Sequence, residues 1–297
     1  MIDQKFVNQY AIGSQVDLLT AERDVVLTYA LRILSDASLP GHLVFKGGTC
    51  LRKIYLGRTG RFSEDLDFTG LDATHPDDLI LALAALLDGK SFYDIAFSVP
   101  AQDLYVREDE KACGVLVEYS HEWNPKAQFE VQISFREEPI LPTEPRPLIT
   151  EGYFKRLEIE PPLVRTLHFE EVVAEKIRAF YQRGTTRDMY DLFLLGQRPF
   201  DRDRVRALSV VKCWLVNDSF DPNQLFERIQ TESFDWADLA RLVPKRQLPE
   251  KETIIATCQR NYRFLNALSP NELLFAQDKH RRRNDLFEVI VENVRQL

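Results

Sequence analysis

Apolar positions recur along the chain with two different periods, and the switches between them outline its elements. Val16, Leu19, Val25, Val26, Tyr29, Ala30, Ile33 and Leu34 follow one another at three- and four-residue spacing, which predicts a long helix running to about Ala37, before a break at Leu39-Pro40-Gly41. The preceding residues are of mixed polarity and end in Gly13-Ser14. A short apolar run, Leu43-Val44-Phe45, stops at Lys46 and the pair Gly47-Gly48, after which Cys50, Leu51, Ile54 and Tyr55 resume the helical spacing. The stretch reads as strand, tight turn, and a helix opening at Thr49. Leu66 and Phe68 then alternate with Asp65, Asp67 and Thr69, the period of a half-buried strand. Thr74-His75-Pro76-Asp77-Asp78 has the composition of a helix start, and Leu79 to Leu87 is apolar almost throughout before Asp88-Gly89 ends it.

Residues 93–99, 104–107, 114–120 and 128–135 are short, alternating and rich in β-branched and aromatic side chains, and predict antiparallel strands that complete a sheet. In the last of them Phe129, Val131 and Ile133 face one side, leaving Gln128, Glu130 and Gln132 on the other. Pro139, Pro142, Pro145 and Pro147 exclude a central strand or a helix over 137–147 and mark a crossover or a domain boundary. Beyond it the period is helical: over 168–183, over 187–195, and then in the stripes Val205-Leu208-Val211-Leu215, Leu225-Ile229, Trp236-Leu239-Leu242, Ile254-Cys258-Tyr262-Leu265 and Phe287-Ile290-Val294. The expected architecture is α+β: a mixed sheet with flanking helices in residues 1–150, followed by a mostly helical domain in 151–297.

Composition narrows the class without naming a reaction. A chain of 297 residues with 44% hydrophobic content fills ordinary cores, and no window approaches the ~18 uninterrupted apolar residues of a membrane span. The start, Met1-Ile2-Asp3-Gln4-Lys5, lacks a signal-peptide pattern, so a cytoplasmic location is expected. Cys50, Cys113, Cys213 and Cys258 are scattered, with no C-x-x-C pair, which speaks against a zinc site or a disulfide framework. A net charge of −8 argues against coating nucleic acid non-specifically. The most basic run, Lys279-His280-Arg281-Arg282-Arg283, suits contact with RNA phosphates but is expected first on a solvated helix face.

Three stretches carry candidate chemistry. Gly47 and Gly48 allow close backbone approach to a ligand, and the N–H groups opening the following helix suit a phosphate. Asp65 and Asp67 lie on one face of their strand, with Cα atoms about 6.5 to 7 Å apart, so their oxygens can converge on a hard cation such as Mg²⁺. Lys176 sits in an otherwise apolar helical stripe among Val172, Val173 and Phe180, so its ammonium must reach solvent or meet an anion. The segment Arg187-Asp188-Met189-Tyr190-Asp191-Leu192 opens a helix whose acids suit either local roles, Asp188 at the helix N-terminus and Asp191 paired with Arg187, or function.

Lys46-Gly47-Gly48-Thr49, Arg52, Tyr55 and Arg61-Phe62-Ser63-Glu64-Asp65-Leu66-Asp67 resemble the signature of the AbiEii/AbiGii-type nucleotidyltransferase toxins, a group within the polymerase-β-like nucleotidyltransferases that includes the MenT toxins. The Glu175-Lys176 helix followed by Arg187-Asp188-x-Tyr190-Asp191-Leu192 extends the resemblance into the second half. It implies that Asp65 and Asp67 are metal ligands, with Glu130 as a third; that Lys46, Gly47, Gly48, Thr49, Arg52, Ser63 and Lys176 contact the nucleotide; and that Asp191, or else Asp188, is the last essential acid. It further implies Mg²⁺ or Mn²⁺, an NTP substrate, an RNA end, plausibly tRNA, or a protein as acceptor, and a cognate antitoxin of an abortive-infection system. Two other readings stand beside it: a nucleotide-binding regulatory module without chemistry, and a nucleotidyltransferase for small, antibiotic-type molecules.

Overall fold

The computed structural model describes residues 2–35, 41–71, 75–109, 111–157, 160–278 and 280–297. The expected helix end at Ala37, the break at Leu39-Pro40, Thr74 and Lys279 lie outside them. The chain divides into two compact units: Met1–Glu138, Thr143–Leu167 and Arg241–Gln247 form the first, and Pro139–Pro142, His168–Ala240 and Leu248–Leu297 the second. The first unit therefore runs past residue 150 and takes in 151–167.

The first unit opens with two helices where the pattern showed one. Helix α1 (Gln4–Ser14) is capped by Asp3, whose side chain accepts from the Lys5 N–H, and it closes on Gln15 in the left-handed conformation at φ 56°. It buries Val7 and Ala11 fully, too narrow a stripe to stand out in the sequence. Helix α2 (Leu18–Ser35) carries the predicted stripe and is buried on most of its circumference, including Glu22, Asp24 and Thr28. Strand β1 (Leu43–Lys46) leads into α3 (Gly47–Cys50), which passes without a break into a π-helical stretch, Leu51–Leu56. The helix thus begins two residues before Thr49, with both glycines in its first turn. Strand β2 is Leu66–Gly70, and Asp65 stands immediately before it.

Helix α4 (Pro76–Leu87) has proline and two acids in its first turn, as its sequence predicts. Strands β3 (Ser91–Phe92), β4 (Ile95–Ser98), β5 (Leu104–Arg107), β6 (Ala112–His121) and β7 (Asn124–Ser134) follow. The proline-rich crossover yields β8 (Glu144–Pro147), then come α5 (Gly152–Leu157) and β9 (Leu163–Thr166), which the alternation had not revealed. The sheet order is β3-β4-β6-β7-β2-β1-β9-β8, with β5 also paired to β6. Prolines exclude β8 from the interior, and it is an edge strand. One expectation is corrected: β7 is antiparallel to β6 but parallel to β2, with Leu66 opposite Val131 and Asp67 opposite Gln132. The core beneath the sheet joins Val25, Tyr29, Phe45, Leu66, Phe68, Val117, Val131 and Ile133.

In the second unit α6 (Phe169–Arg183), α7 (Thr186–Leu195), α8 (Arg202–Leu215), α9 (Pro222–Thr231), α11 (Lys251–Asn261), α12 (Pro270–Ala276) and α13 (Asn284–Gln296) pack as a bundle; α10 (Trp236–Leu242) ends in the residues assigned to the first unit. Its interior holds a buried ion cluster: Lys212 bonds Glu171 at 2.6 Å and Glu175 at 3.1 Å, and Glu171 accepts the Ile140 and Leu141 N–H groups, both at 2.8 Å. The described part of the basic run, residues 280–283, lies outside any helix: Arg281 donates to the Leu215 carbonyl and lies 4.8 Å over Trp214, and Arg283 pairs with Asp285. No helix among the described residues is long and apolar enough to cross a membrane.

Candidate active site

The first cluster is built where β1 and β2 end together. Their antiparallel register sets Lys46 directly opposite Asp67, so ammonium and carboxylate share one face of the sheet. Gly47 has φ +77°, and a Cβ there would lie 2.0 Å from Asp67 Oδ2. A Cβ at Gly48 would lie 2.8 Å from both Ser63 Oγ and Arg61 Nη2. The paired glycines are therefore required by the chain's own side chains: the space a side chain would fill is taken by Asp67 at one and by Ser63 with Arg61 at the other. Ser63 Oγ donates to Asp65 Oδ1 at 2.9 Å, and Thr49 Oγ1 donates to the Asp65 carbonyl at 2.6 Å. Thr49 is thus committed to fixing the backbone that carries Asp65.

Two expected members, Glu130 and Arg52, are bonded to side chains of the chain itself. Glu130 Oε1 accepts from Tyr105 Oη at 2.6 Å across the sheet, and burial together with that carboxylate pushes the Tyr105 phenol up. Among the described residues no three His, Cys, Asp or Glu side chains are grouped to hold a metal ion. The parallel pairing to β7 puts Gln132, not an acid, beside Asp67. Asp65 and Asp67 remain as a two-carboxylate set, which suits Mg²⁺ because that ion is held by one or two carboxylates with substrate phosphates completing its shell.

Arg52 points inward. Its guanidinium donates to Asp24 Oδ1 at 3.1 Å, to the Gly60 carbonyl at 2.6 Å and to Tyr10 Oη at 3.1 Å, and stacks 3.6 Å from the centre of the Phe62 ring. Lys53, its neighbour on the π-helical stretch, bonds Asp24 Oδ1, the Asp24 carbonyl and Thr28 Oγ1, each at 2.9 Å. Burial alone raises the Asp24 pKa, but Lys53 and Arg52 outweigh it and hold the carboxyl at about 2. Burial pushes the Lys53 ammonium down, partly offset by Asp24. This buried cluster anchors both ends of the segment 57–62 that leads into Ser63 and Asp65. Sequence reading passed over Asp24 and Lys53, yet Asp24 stands in the apolar stripe of α2 as conspicuously as Lys176 does in α6.

The second cluster lies in the helical unit. Lys176 Nζ sits 2.7 Å from Asp191 Oδ2 and 3.5 Å from Asp188 Oδ1, so the lysine in the apolar stripe meets an anion. Thr185 caps α7 and also donates to Asp188 at 2.6 Å, while Arg183 donates to both Asp188 oxygens at 2.6 and 2.8 Å. Burial would raise the Asp188 pKa; the Arg183 hydrogen bonds, the Lys176 charge and Thr185 reverse that and drive it below the usual carboxylate range. Arg187 holds Asp238 through two bonds of 2.6 and 2.8 Å. The two acids of the second motif are thereby distinguished: Asp188 is tied to Arg183 and the helix cap, Asp191 to Lys176.

Comparison with known proteins places this geometry. The family model described as nucleotidyl transferase AbiEii toxin, type IV TA system, matches residues 29–262. A solved structure, MenT4, a nucleotidyltransferase toxin from Mycobacterium tuberculosis H37Rv, superposes with a TM-score of 0.83 at 26% sequence identity, covering 99% of this chain and 100% of that one. The search of curated proteins found no match.

Proposed function

Since the chain belongs to the AbiEii family of nucleotidyltransferase toxins of type IV toxin–antitoxin systems, we propose that it moves a nucleoside monophosphate from an NTP to an RNA end, plausibly tRNA, with release of pyrophosphate and with Mg²⁺ held by Asp65 and Asp67. The reading rests most on one observation: Asp67 stands against Gly47, which admits no side chain, with Lys46 paired opposite and Asp65 held by Ser63 two residues before. Bound there, Mg²⁺ supplies charge neutralisation on the triphosphate and orientation of the acceptor hydroxyl for in-line attack.

The protein's own residues do the rest. Ser63 and Thr49 hold Asp65 by its side chain and its carbonyl, which fixes one carboxylate before substrate arrives. Lys46 provides positive charge for the phosphates, and in the helical unit Asp191 orients Lys176, the lysine of the second motif. Asp188 takes the structural half of the second motif. The reading includes a cognate antitoxin and a cytoplasmic location.

The experiment is incubation of the purified chain with each α-³²P-labelled NTP, Mg²⁺ and total tRNA. Label on tRNA from one nucleotide is expected; label on protein alone refutes the RNA acceptor, and no label under any nucleotide refutes the reaction.

The division of the second motif gives a further expectation. Below both melting midpoints, Asp191→Asn lowers transfer about a hundredfold, the cost of misplacing one charged group by an ångström. Asp188→Asn keeps transfer within about threefold while lowering stability by about 1–3 kcal/mol, because it breaks a charge-assisted bond pair at a buried carboxylate. Paired kcat and thermal-melt measurements check both, and equal kinetic losses in the two variants refute the assignment.

A further inference from the structure

The first unit contains a cavity of about 450 Å³ that shares no lining residue with the Asp65–Asp67 cluster. Its floor is buried Arg52, Phe62, Tyr153 and Pro244, and its exposed rim includes Arg58, Arg246, Gln9 and Gln247. Phe6 and Tyr10 of α1 form one wall. The volume is that of a small-molecule site rather than a packing defect.

The lining has a definite chemistry. It carries three arginines and no aspartate or glutamate, in a chain whose net charge is −8. The nearest compensation is behind the wall, where Glu151 accepts from Arg58 Nε at 3.0 Å and Asp24 accepts from Arg52. With Lys53 counted, four cations face two carboxylates, so the pocket keeps a positive excess. The α1 C-terminus at the rim presents carbonyls of opposite sign, but those of Ala11 and Ile12 are already taken by the Gln15 and Val16 N–H groups. Guanidinium groups suit phosphate, aromatic faces suit a base, and the glutamine amides suit its polar edge. An acidic peptide would use the arginines and leave the aromatic wall without a role; a fatty or purely apolar ligand would leave the positive excess of the pocket unanswered.

We propose that this pocket binds one nucleotide unit, ring and phosphate together, of a single-stranded RNA. Naming that strand as the acceptor rests on the proposed transfer reaction; the binding itself does not. Arg246 and Arg58 at the rim engage the phosphate, and the ring lies against the wall formed by Phe6 and Tyr10. The same chemistry is offered by a free nucleotide, and the test separates the two sources.

Binding of a fluorescent single-stranded RNA pentamer, and of each nucleoside monophosphate, is measured with the full chain carrying Asp65→Asn and Asp67→Asn, so that turnover plays no part. Arg246→Glu, an exposed substitution, is expected to weaken pentamer binding at least about tenfold and to flatten its salt dependence. A pentamer bearing 4-thiouridine at its 3′ end is expected to cross-link to peptides containing Phe6–Gln15 or Pro244–Gln247. Pentamer binding without monophosphate binding assigns the pocket to a strand. Monophosphate binding that Arg246→Glu weakens as much assigns it to a free nucleotide and overturns the strand proposal. Pentamer affinity unchanged by both Arg246→Glu and Arg58→Glu, cross-links confined to other peptides, or preferential binding of an oligoglutamate, each overturns the proposal. Absence of transfer by the chain with Asp65 and Asp67 intact, alongside pentamer binding, counts against the proposed reaction, not against the pocket.

Discussion

Asp67→Asn is expected to lower nucleotidyl transfer about a thousandfold while moving the melting temperature by only a few degrees. The side chain is half-buried at the end of β2, with its carboxylate pressed against the Gly47 Cα and Lys46 paired across the ladder. Asparagine keeps the shape and removes only the charge. If Asp67 served chiefly to hold the turn, the isosteric amide would leave activity near wild type, and any loss would track stability. If it holds a cation that neutralises a triphosphate, losing one anionic ligand removes several kcal/mol of transition-state stabilisation, and about 4 kcal/mol is a factor of a thousand. Asp65→Asn is expected to behave in the same way, with a smaller fall in stability than Ser63→Ala would suggest from their bond, because the amide oxygen still accepts from Ser63 Oγ. Single-turnover rates at saturating NTP, set beside thermal melts, decide the matter. A loss of less than about tenfold in both variants would sink the two-carboxylate site.

The parts of this site that were legible in the sequence are those written locally. Alternation of Leu66 and Phe68 with Asp65 and Asp67 places the acids, and an apolar run ending at two glycines places the turn. What the glycines accommodate was not legible, because Asp67, Ser63 and Arg61 reach them through a strand pairing some twenty residues away in the chain. The same limit explains Glu130. Its face of β7 is legible, but its partner Tyr105 comes from β5 by way of β6, and only that two-strand register shows the bond that one of its oxygens accepts. The parallel pairing of β7 with β2 was hidden for a related reason: alternation reports one buried face and is silent on the direction of the neighbour. Lys176 was the opposite case. A cation among Val172, Val173 and Phe180 demands an anion whatever the fold, and Asp191 answers it at 2.7 Å. Applied to α2, the same reasoning picks out Asp24 beside Val25 and Val26, and it is there that the second large effect lies.

Asp24→Ala is expected to destabilise the protein by about 3–5 kcal/mol, a large share of the ~5–15 kcal/mol that holds a typical domain folded. Arg52 is 3% exposed and Lys53 6%, and both bond Asp24 directly. Without it Lys53 keeps Thr28, Tyr153 and a carbonyl, Arg52 keeps Tyr10, Gly60 and a longer contact to Glu151, and two buried cations face one another with too little negative charge. Replacing the interacting pair together, Asp24→Leu with Lys53→Met, should recover part of the loss, since the cost lies in the orphaned charge rather than in the absence of an ion pair. The pH dependence follows from the depressed Asp24 pKa of about 2. A carboxyl that ionises more readily folded than unfolded stabilises the fold above its unfolded pKa of about 4, and that contribution fades as pH falls towards 2. The stability gap between wild type and Asp24→Ala should therefore be flat from pH 7 to about 5 and narrow below about 4. Function is expected to follow through Arg52, which grips the Gly60 carbonyl and stacks on Phe62 just before Ser63. Below its melting midpoint the Asp24→Ala protein should lose kcat more than it loses NTP affinity, because the loop that aims Asp65 slackens while the phosphate-facing residues stay in place. Denaturant titrations at several pH values, with steady-state kinetics on the same preparations, test both halves. A pH-independent gap would remove Asp24 as the charge that neutralises this cluster, and unchanged kcat would confine the cluster to stability alone.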